Sequence, residues 1–405
     1  MTEKQPVKRS VLMRMVCALA LILFASCDQS PLFYQISQEV EPKEPRIKGV
    51  PSNFAVFQNG LYVASSSLHR YAKNAAGSAV WDEGTIPQPP GRIYALAATN
   101  TSLYALTLDE SEVSGLYKLG AGQTAWSGKI PIEEGDGTAF SSLQSIYAAG
   151  NTLFAGGWNK TATSALNAAN YAIFYEDNDK LKLIKANTGL LSGAVPSTST
   201  DYYLSTAGAG IYYLSGLTAA LTGPLQNAAG GSESEIVGII NVGADIIAVT
   251  RNGIILKINN TTNFTAYPTG QRMTGAMTLW RNAAGEQLLL LGIQPGNGST
   301  STIYGYRERK IDASGNLDLT LNSEGKLALQ VPGDGAPTTV NNKDRYANTI
   351  GSHPVNHLIQ APIGIDPEMT LFAGLQGTGK STNEIDSGVW SYRLRNGDLQ
   401  WNAEE

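Results

Sequence analysis

The sequence predicts an all-β fold made of repeated four-strand units, and three observations support this prediction. Short apolar runs of about four to six residues recur along the chain, bounded by Gly and Asn, which is the pattern of β-strands. Charged residues form only 16% of the chain, against a usual ~25%, and 43 glycines suit many tight turns. No amphipathic helical pattern follows the N-terminal apolar segment.

The strand runs repeat in a constant arrangement. One strand combines apolar, aromatic and small residues and occurs at 61–64, 103–106, 153–156, 203–205, 246–249, 290–292 and 371–374. A turn and a further strand follow each copy, at 68–71, 115–119, 172–175, 210–214, 253–258, 303–306 and 388–392. Upstream apolar segments such as 54–57, 93–96, 146–149 and 236–240 are predicted innermost strands, and segments from Gly to Trp at 77–81, 122–126 and 397–401 are predicted outer strands.

Four short strands per unit, at intervals of roughly 40 to 50 residues, predict the blades of a single β-propeller. The interval from Leu289 to Leu371 is about twice as long and leaves two alternatives, an extra blade or an insertion. We favour an insertion, because 317–319 and 327–329 supply only one hairpin before a segment rich in Gly and Pro. Seven blades over residues 51–405 are therefore predicted, with eight as the alternative.

The N-terminus has the pattern of an export signal. Four basic residues precede an apolar run at 15–24, which is about half the length of the ~20 residues that span a membrane. The run ends in Phe24-Ala25-Ser26-Cys27, which resembles the lipobox of bacterial lipoproteins, in which small residues precede the cysteine that receives diacylglycerol. Phe24 replaces the usual Leu, a departure that spirochaete lipoproteins tolerate.

This resemblance, over the N-terminus and the repeats, is to spirochaete-like extracytoplasmic lipoproteins with a β-propeller domain. It implies a signal peptide at 1–26, cleavage before Cys27 and lipid attachment there, with an ordinary signal peptide as the alternative. The chain would then be held on a bacterial membrane and lie outside the cytoplasm, in the periplasm or at the surface. Residues 27–50 alternate proline with charge and are predicted to form a flexible tether.

Charge and cysteine content limit the partners. The formal net charge is −5, and loss of the signal makes it more negative because that segment is basic. An acidic chain without a basic patch predicts no nucleic-acid partner. Cys17 leaves with the signal and Cys27 carries lipid, so no disulfide and no cysteine metal site are expected. We predict neither a metal nor another cofactor.

Residues 374–381, from Gly374 to Lys380-Ser381, match the phosphate-binding P-loop G-x-x-x-x-G-K-[ST]. A functional P-loop joins a strand to a helix, whose N-terminal amides bind the phosphates. Here the segment leads towards the strand at 388–392, so we predict a hairpin connection and no nucleotide.

Two further motifs, a pair of histidines and a short run at 177–179, resemble metal sites but are predicted to be structural. His353 and His357 are four residues apart but have no evident third ligand, which a catalytic zinc requires, so we predict structural histidines, with His357 on an inner strand at 355–360. The acidic triplet at 177–179 lacks the Gly and the closing Glu of a calcium loop and is predicted to be a hairpin turn.

The predicted function is that of a membrane-anchored binding or scaffolding module for a protein, a glycan or an envelope component. No local catalytic motif occurs, and the alternative is a propeller enzyme of the hydrolase, lyase or quinoprotein type with a site at the central channel. Three connections between second and third strands are long, at 158–170, 294–301 and 376–386, with 108–114 as an acidic fourth. The candidate ligand-binding residues on them are Trp158, Lys160, Lys380 and Asp386.

Overall fold

The described part of the chain forms seven β-sheets, each built from neighbouring segments of sequence. Their strands pair antiparallel, except for a two-residue parallel pairing of Gln226–Asn227 in the fifth sheet. The structure is a computed structural model. It describes residues 47, 50–65, 67–82, 86–133, 140–159, 170–282, 284–294, 305–330, 354–375, 388–395 and 398–404. All of these belong to one compact unit, Pro45–Glu405, whereas the predicted signal peptide and most of the tether lie outside the described residues.

The first four sheets contain fourteen strands. The first sheet holds β1 (Ala55–Phe57), β2 (Gly60–Ala64), β3 (Leu68–Lys73) and β4 (Ala79–Asp82). The second holds β5 (Arg92–Ala98), β6 (Ser102–Leu108) and β7 (Ser114–Gly120). The third holds β8 (Phe140–Ala149), β9 (Thr152–Asn159), β10 (Tyr171–Asp177) and β11 (Lys180–Ala186). The fourth holds β12 (Leu190–Pro196), β13 (Asp201–Ala207) and β14 (Gly210–Ser215).

The last three sheets contain the remaining twelve strands. The fifth holds β15 (Gln226–Asn227), β16 (Ile236–Val242), β17 (Asp245–Thr250), β18 (Ile254–Ile258) and β19 (Asn263–Pro268). The sixth holds β20 (Arg272–Arg281), β21 (Gln287–Gln294) and β22 (Tyr306–Lys310). The seventh holds β23 (Val355–Gln360), β24 (Leu371–Leu375), β25 (Gly388–Arg395) and β26 (Asp398–Ala403).

Seven clusters of buried side chains join the sheets in a closed cycle. Six clusters lie between sheets that follow one another along the chain. The remaining cluster packs Leu61 and Val63 of the first sheet against Phe372 and Val389 of the seventh. Each sheet thus buries both faces against its two neighbours, which explains why second strands such as β2 and β24 are buried along their whole length. The prediction of an all-β propeller is confirmed.

The outer strands depart most from the sequence prediction. The segments at 77–81 and 397–401 contribute to β4 and β26, but residues 122–126 form no strand. Trp126 instead packs against the cluster between the first and second sheets and donates an indole hydrogen bond to the Pro87 carbonyl, 2.8 Å away. The small apolar segments predicted as second and third strands coincide with strands wherever the structure describes them.

The segment after β22 contains two irregular hairpins, closed by the bridges Ile311↔Leu317 and Leu321↔Leu327, rather than regular strands. Arg309, which is only 7% exposed, holds both hairpins. Its guanidinium donates to the Ala328 carbonyl at 2.9 Å and lies 2.9 Å from the Asp318 carboxylate. A bridge between Glu308 and Gln330 then covers the outer edge of β22, so the described part of this insertion serves the sixth sheet. Residues 331–353 lie outside the described residues.

The described residues contain no helix that is long and apolar enough to cross a membrane.

A buried polar cluster connects the two ends of the ring. Glu404, 2% exposed, follows β26, and its carboxylate accepts hydrogen bonds from Ser391 and Arg393 of β25 and, at 2.7 Å, from the indole of Trp81 on β4. Nearby, the Tyr71 hydroxyl donates to Asp366 at 3.0 Å. These contacts give the closing interface the pairing that a buried charge requires.

We expect Glu404→Ala to lower the free energy of unfolding by about 3 to 5 kcal/mol, because it leaves the Arg393 charge and the Trp81 indole without their partner. Urea unfolding followed by tryptophan fluorescence measures this. The control is Glu324→Ala, which removes an exposed carboxylate 3.2 Å from Lys326 and should cost no more than ~1 kcal/mol. Equal effects of the two substitutions would show that the cluster does not support ring closure.

Candidate ligand channel

The inner strands surround a central cavity of about 650 Å³. It is lined by β5, β8, β12, β16, β20 and β23, together with Asn53 and Phe54 at the start of the first sheet, so all seven sheets contribute. This volume falls within the range of ~300 to 1,000 Å³ typical of small-molecule sites. The cavity is therefore large enough to hold a ligand at the axis of the propeller.

Six of the seven inner strands carry a β-bulge at the equivalent place, near the strand start. The bulges fall between Ile93 and Ala95, Leu143 and Ser145, Leu191 and Gly193, Ile236 and Gly238, Met273 and Met277, and Val355 and His357. A bulge leaves one residue outside the regular pairing and redirects its side chain. The residues placed there line the cavity, among them Tyr94, Gln144, Ser192 and Asn356.

A sequence pattern accompanies each bulge. Two buried apolar residues stand three positions apart, and the position before the second is small in five strands: Ala95, Ser145, Gly193, Gly238 and Gly275. Close packing of the inner strands explains the small residues, since a Cβ added at Gly238 would lie 2.7 Å from the Met277 side chain and 2.9 Å from the Gly275 carbonyl. In the seventh sheet this position is His357, so a large polar ring enters the cavity at one point of the circle.

Most polar groups of the wall are committed to the protein. Asn53 binds the Leu96 backbone through both amide atoms, and Tyr94 donates to the Leu143 carbonyl at 2.5 Å. The Thr274 hydroxyl donates to the Val355 carbonyl at 2.6 Å. These bonds cross from one sheet to the next, so they fix the inner ring rather than the ligand.

Three wall groups make no such bond among the described residues: the Tyr147 hydroxyl, the His357 imidazole and the Gln144 side-chain carbonyl. The amide nitrogen of Gln144 donates to the Ser142 hydroxyl at 3.0 Å, which leaves the carbonyl pointing away from it. Burial raises the pKa of Tyr147 to about 12 and lowers the pKa of His357 from 6.5 to about 4. The side chain of His357 is half-buried, and its desolvation favours the neutral form of the imidazole.

The bulges lie at one face of the propeller. Each inner strand begins where its second strand ends: Val355 at the start of β23 pairs with Leu375 at the end of β24. The connections between second and third strands leave the sheets at this same face. They include residues 160–169, 295–304 and 376–387, which are not among the described residues.

The residues predicted for ligand binding fall mainly in these connections. Lys160, Lys380, Asp386 and His353 lie outside the described residues. Trp158 belongs to β9 rather than to a loop, pairs with Tyr171, and is half-buried with its indole nitrogen enclosed. Its role in binding, like that of the three charged residues, stays a prediction.

The P-loop-like segment begins within β24, because Gly374 and Leu375 are the last two residues of that strand. Leu375 pairs with Gly388, the first residue of β25. The strands on either side of the motif are thus neighbours in one sheet, as expected for a hairpin connection. The predicted hairpin turn at 177–179 is confirmed: Asp177 ends β10, and Asn178 and Asp179 form the turn to β11. Among the described residues, no group of three or more His, Cys, Asp or Glu side chains is placed to hold a metal ion.

Sequence reasoning placed several channel residues on predicted inner strands, among them Tyr94, Tyr147 and His357, but it named none of them as a ligand-binding residue. The sequence signal for these residues is a pair of apolar residues three positions apart, with a small residue directly before the second. It interrupts the alternation of a regular strand and occurs at the start of six inner strands.

No protein family and no curated protein matches the sequence. Among solved structures, the chain is similar to a streptogramin B lyase, at 12% identity and a TM-score of 0.49, with 89% of this chain and 97% of that chain covered. It is similar to the WD40 β-propeller domain of Doa1, at 9% identity and a TM-score of 0.48, with 88% of this chain and 95% of that chain covered. It is also similar to YCF48 bound to D1 peptide, at 12% identity and a TM-score of 0.46, with 90% of this chain and 95% of that chain covered. The seven sheets and their cyclic packing define the propeller independently of these similarities.

We expect His357 to make folding stability fall with decreasing pH. The unfolded chain protonates this imidazole near pH 6.5, whereas the folded chain does so only near pH 4. The titration of His357 therefore leaves the free energy of unfolding unchanged above about pH 6.5. As the pH falls towards 4, it lowers the free energy of unfolding by at most about 3 kcal/mol. Urea unfolding at several pH values should show a flatter dependence for His357→Gln than for the unaltered protein.

Gln144→Ala is the matched control, because it alters the same cavity wall without removing a titrating group, and it should keep the full pH dependence. An unchanged slope in His357→Gln would mean that the imidazole titrates normally in the folded protein.

Proposed function

We propose that the protein is a lipid-anchored, extracytoplasmic binding module that holds its ligand in the central channel. The observation that carries the proposal is the circle of bulges, which turns side chains from the inner strands into one cavity of about 650 Å³. Bulges weaken strand pairing and are found preferentially next to functional sites. The repetition of this irregularity in six sheets brings side chains from all of them to one cavity, which supports a ligand site at the axis.

The anchoring part of the proposal rests on the N-terminal sequence. The basic leader, the short apolar run and Ala25-Ser26-Cys27 are the features of a lipoprotein signal. Two or three acyl chains hold a protein on a membrane durably, because each buried methylene contributes about 0.8 kcal/mol. In this proposal, Cys27 carries the lipid and the propeller is displayed on the far side of a tether.

Cys27→Ala should leave the protein unprocessed or release it from the membrane, because the substitution removes the acceptor of the lipid. Labelling with radioactive palmitate, followed by detergent phase partitioning, measures both outcomes. Cys17→Ala is the matched control and should leave labelling and partitioning unchanged. Entry of a mature-size Cys27→Ala protein into the detergent phase would contradict lipid anchoring at this residue.

Binding in the channel is tested by blocking it. Gln144 lies on a bulge, is exposed to the cavity and can be replaced without disturbing the core, so Gln144→Trp should fill the space at its wall. Fractionated envelope material passed over the immobilised full-length protein should yield a component that the unaltered protein retains and Gln144→Trp does not.

The control is Gln287→Ala, which alters an exposed glutamine at the start of β21, away from the cavity, and should retain the component. Circular dichroism checks that both variants are folded. Equal retention by Gln144→Trp would place the site outside the channel. Chemical conversion of the retained component would instead support the alternative, an enzyme with a site in the channel.

A further inference from the structure

The electrostatics of the cavity wall limit the chemistry of its ligand. Among the described residues that line the cavity, none is Asp, Glu, Lys or Arg. An anionic or cationic ligand would lose its hydration without gaining an opposite charge, which carries a high free-energy cost. The two titratable groups that face the cavity without a protein partner, Tyr147 and His357, are both neutral at physiological pH.

The uncommitted polar groups of the wall both donate and accept hydrogen bonds. The phenol of Tyr147 and the neutral imidazole of His357 can each do either, and the Gln144 carbonyl accepts. Tyr147 and Gln144 lie on β8 of the third sheet, whereas His357 lies on β23 of the seventh sheet, so the groups face one another across the ring. A ligand bound between them therefore needs several groups that can donate and accept in turn.

The remainder of the wall combines aromatic side chains with backbone groups. Phe54 and Tyr94 contribute aromatic rings, and the small residues at the bulges, such as Gly238 and Gly275, leave backbone open to the cavity. Such surfaces suit a ring-shaped molecule with alternating C–H and O–H groups, because aromatic faces contact the C–H groups while amides and hydroxyls bind the rest.

We propose that the channel binds an uncharged, hydroxyl-rich ligand, namely a neutral oligosaccharide. Hydroxyl groups are simultaneously donors and acceptors, which matches the phenol, imidazole and amide of the wall. This inference rests on the proposed function, in which the channel is the ligand site, and it adds the chemical class of the ligand.

The experiment is isothermal titration of the full-length protein in detergent with defined tetrasaccharides. The neutral probes are the tetramers of glucose, galactose, mannose and N-acetylglucosamine, and the anionic probe is tetragalacturonate. The fully methyl-esterified tetragalacturonate is the matched comparison, since it keeps the ring shape and removes the charge. We expect saturable binding of at least one neutral probe, and at least tenfold weaker binding of tetragalacturonate than of its methyl ester.

Substitutions in the cavity wall test whether this binding occurs in the channel. Gln144→Ala and His357→Gln should each weaken binding about 3- to 10-fold, the effect of one neutral hydrogen bond, and Gln144→Trp should abolish it. Gln287→Ala, at the exposed start of β21 and not part of the cavity wall, should have no effect. Because His357 is neutral down to a pH of about 4, binding should be constant between about pH 5.5 and 8.

The outcomes separate this inference from the proposed function. Preference for tetragalacturonate, or absence of binding to every neutral probe while Gln144→Trp still loses the envelope component, would overturn the neutral-oligosaccharide ligand and leave the channel as the site. Binding of a neutral probe that Gln144→Trp does not affect would overturn both, because the saccharide site would then lie elsewhere.

Discussion

The closing interface between the first and seventh sheets is the constraint on which the whole ring depends. Every sheet buries one face against the sheet before it and the other against the sheet after it, so an open ring would expose the apolar faces that now pack Val63 against Phe372. The residues that meet there are far apart in sequence, but the entropy cost of closing a loop rises only slowly with its length. Apolar burial and the bonds to Glu404 can therefore offset it.

Closure also creates the channel. Seven inner strands held in a circle leave a cavity at the axis, and what lines it depends on strand irregularities. A regular strand would direct alternate side chains towards the two neighbouring sheets, whereas the bulges at Tyr94, Gln144 and Asn356 direct additional ones inward. The free energy lost in strand pairing is offset by hydrogen bonds between sheets, such as those of Asn53 to Leu96. Stability of the ring and the shape of the cavity thus depend on the same residues.

The sequence predicted the repeat, the strand order and the propeller, because these follow from local apolar patterns such as Leu61 to Ala64 and Leu103 to Leu106. It failed at residues 122–126, where Trp126 forms a hydrogen bond to Pro87, in the connection between the first and second sheets, instead of extending an edge. It also could not reveal that Trp81 and Glu404 are neighbours, since they are 323 positions apart. The bulges are visible in the sequence as a spacing of apolar residues. That their side chains line one cavity depends on the arrangement of the inner strands around a common axis, which the sequence does not show.

The connections predicted to bind a ligand leave the sheets at the strand ends that lie nearest the bulges. Inner strands begin at the face where second strands end, and the connections that contain Lys160, Lys380 and Asp386 depart from that face. The chain also enters the first sheet there, because the Ser52 amide donates to the carbonyl of Ala64, the last residue of β2. The candidate loop residues and the bulges therefore belong to the same face of the propeller, and the role of those loop residues in binding stays a prediction.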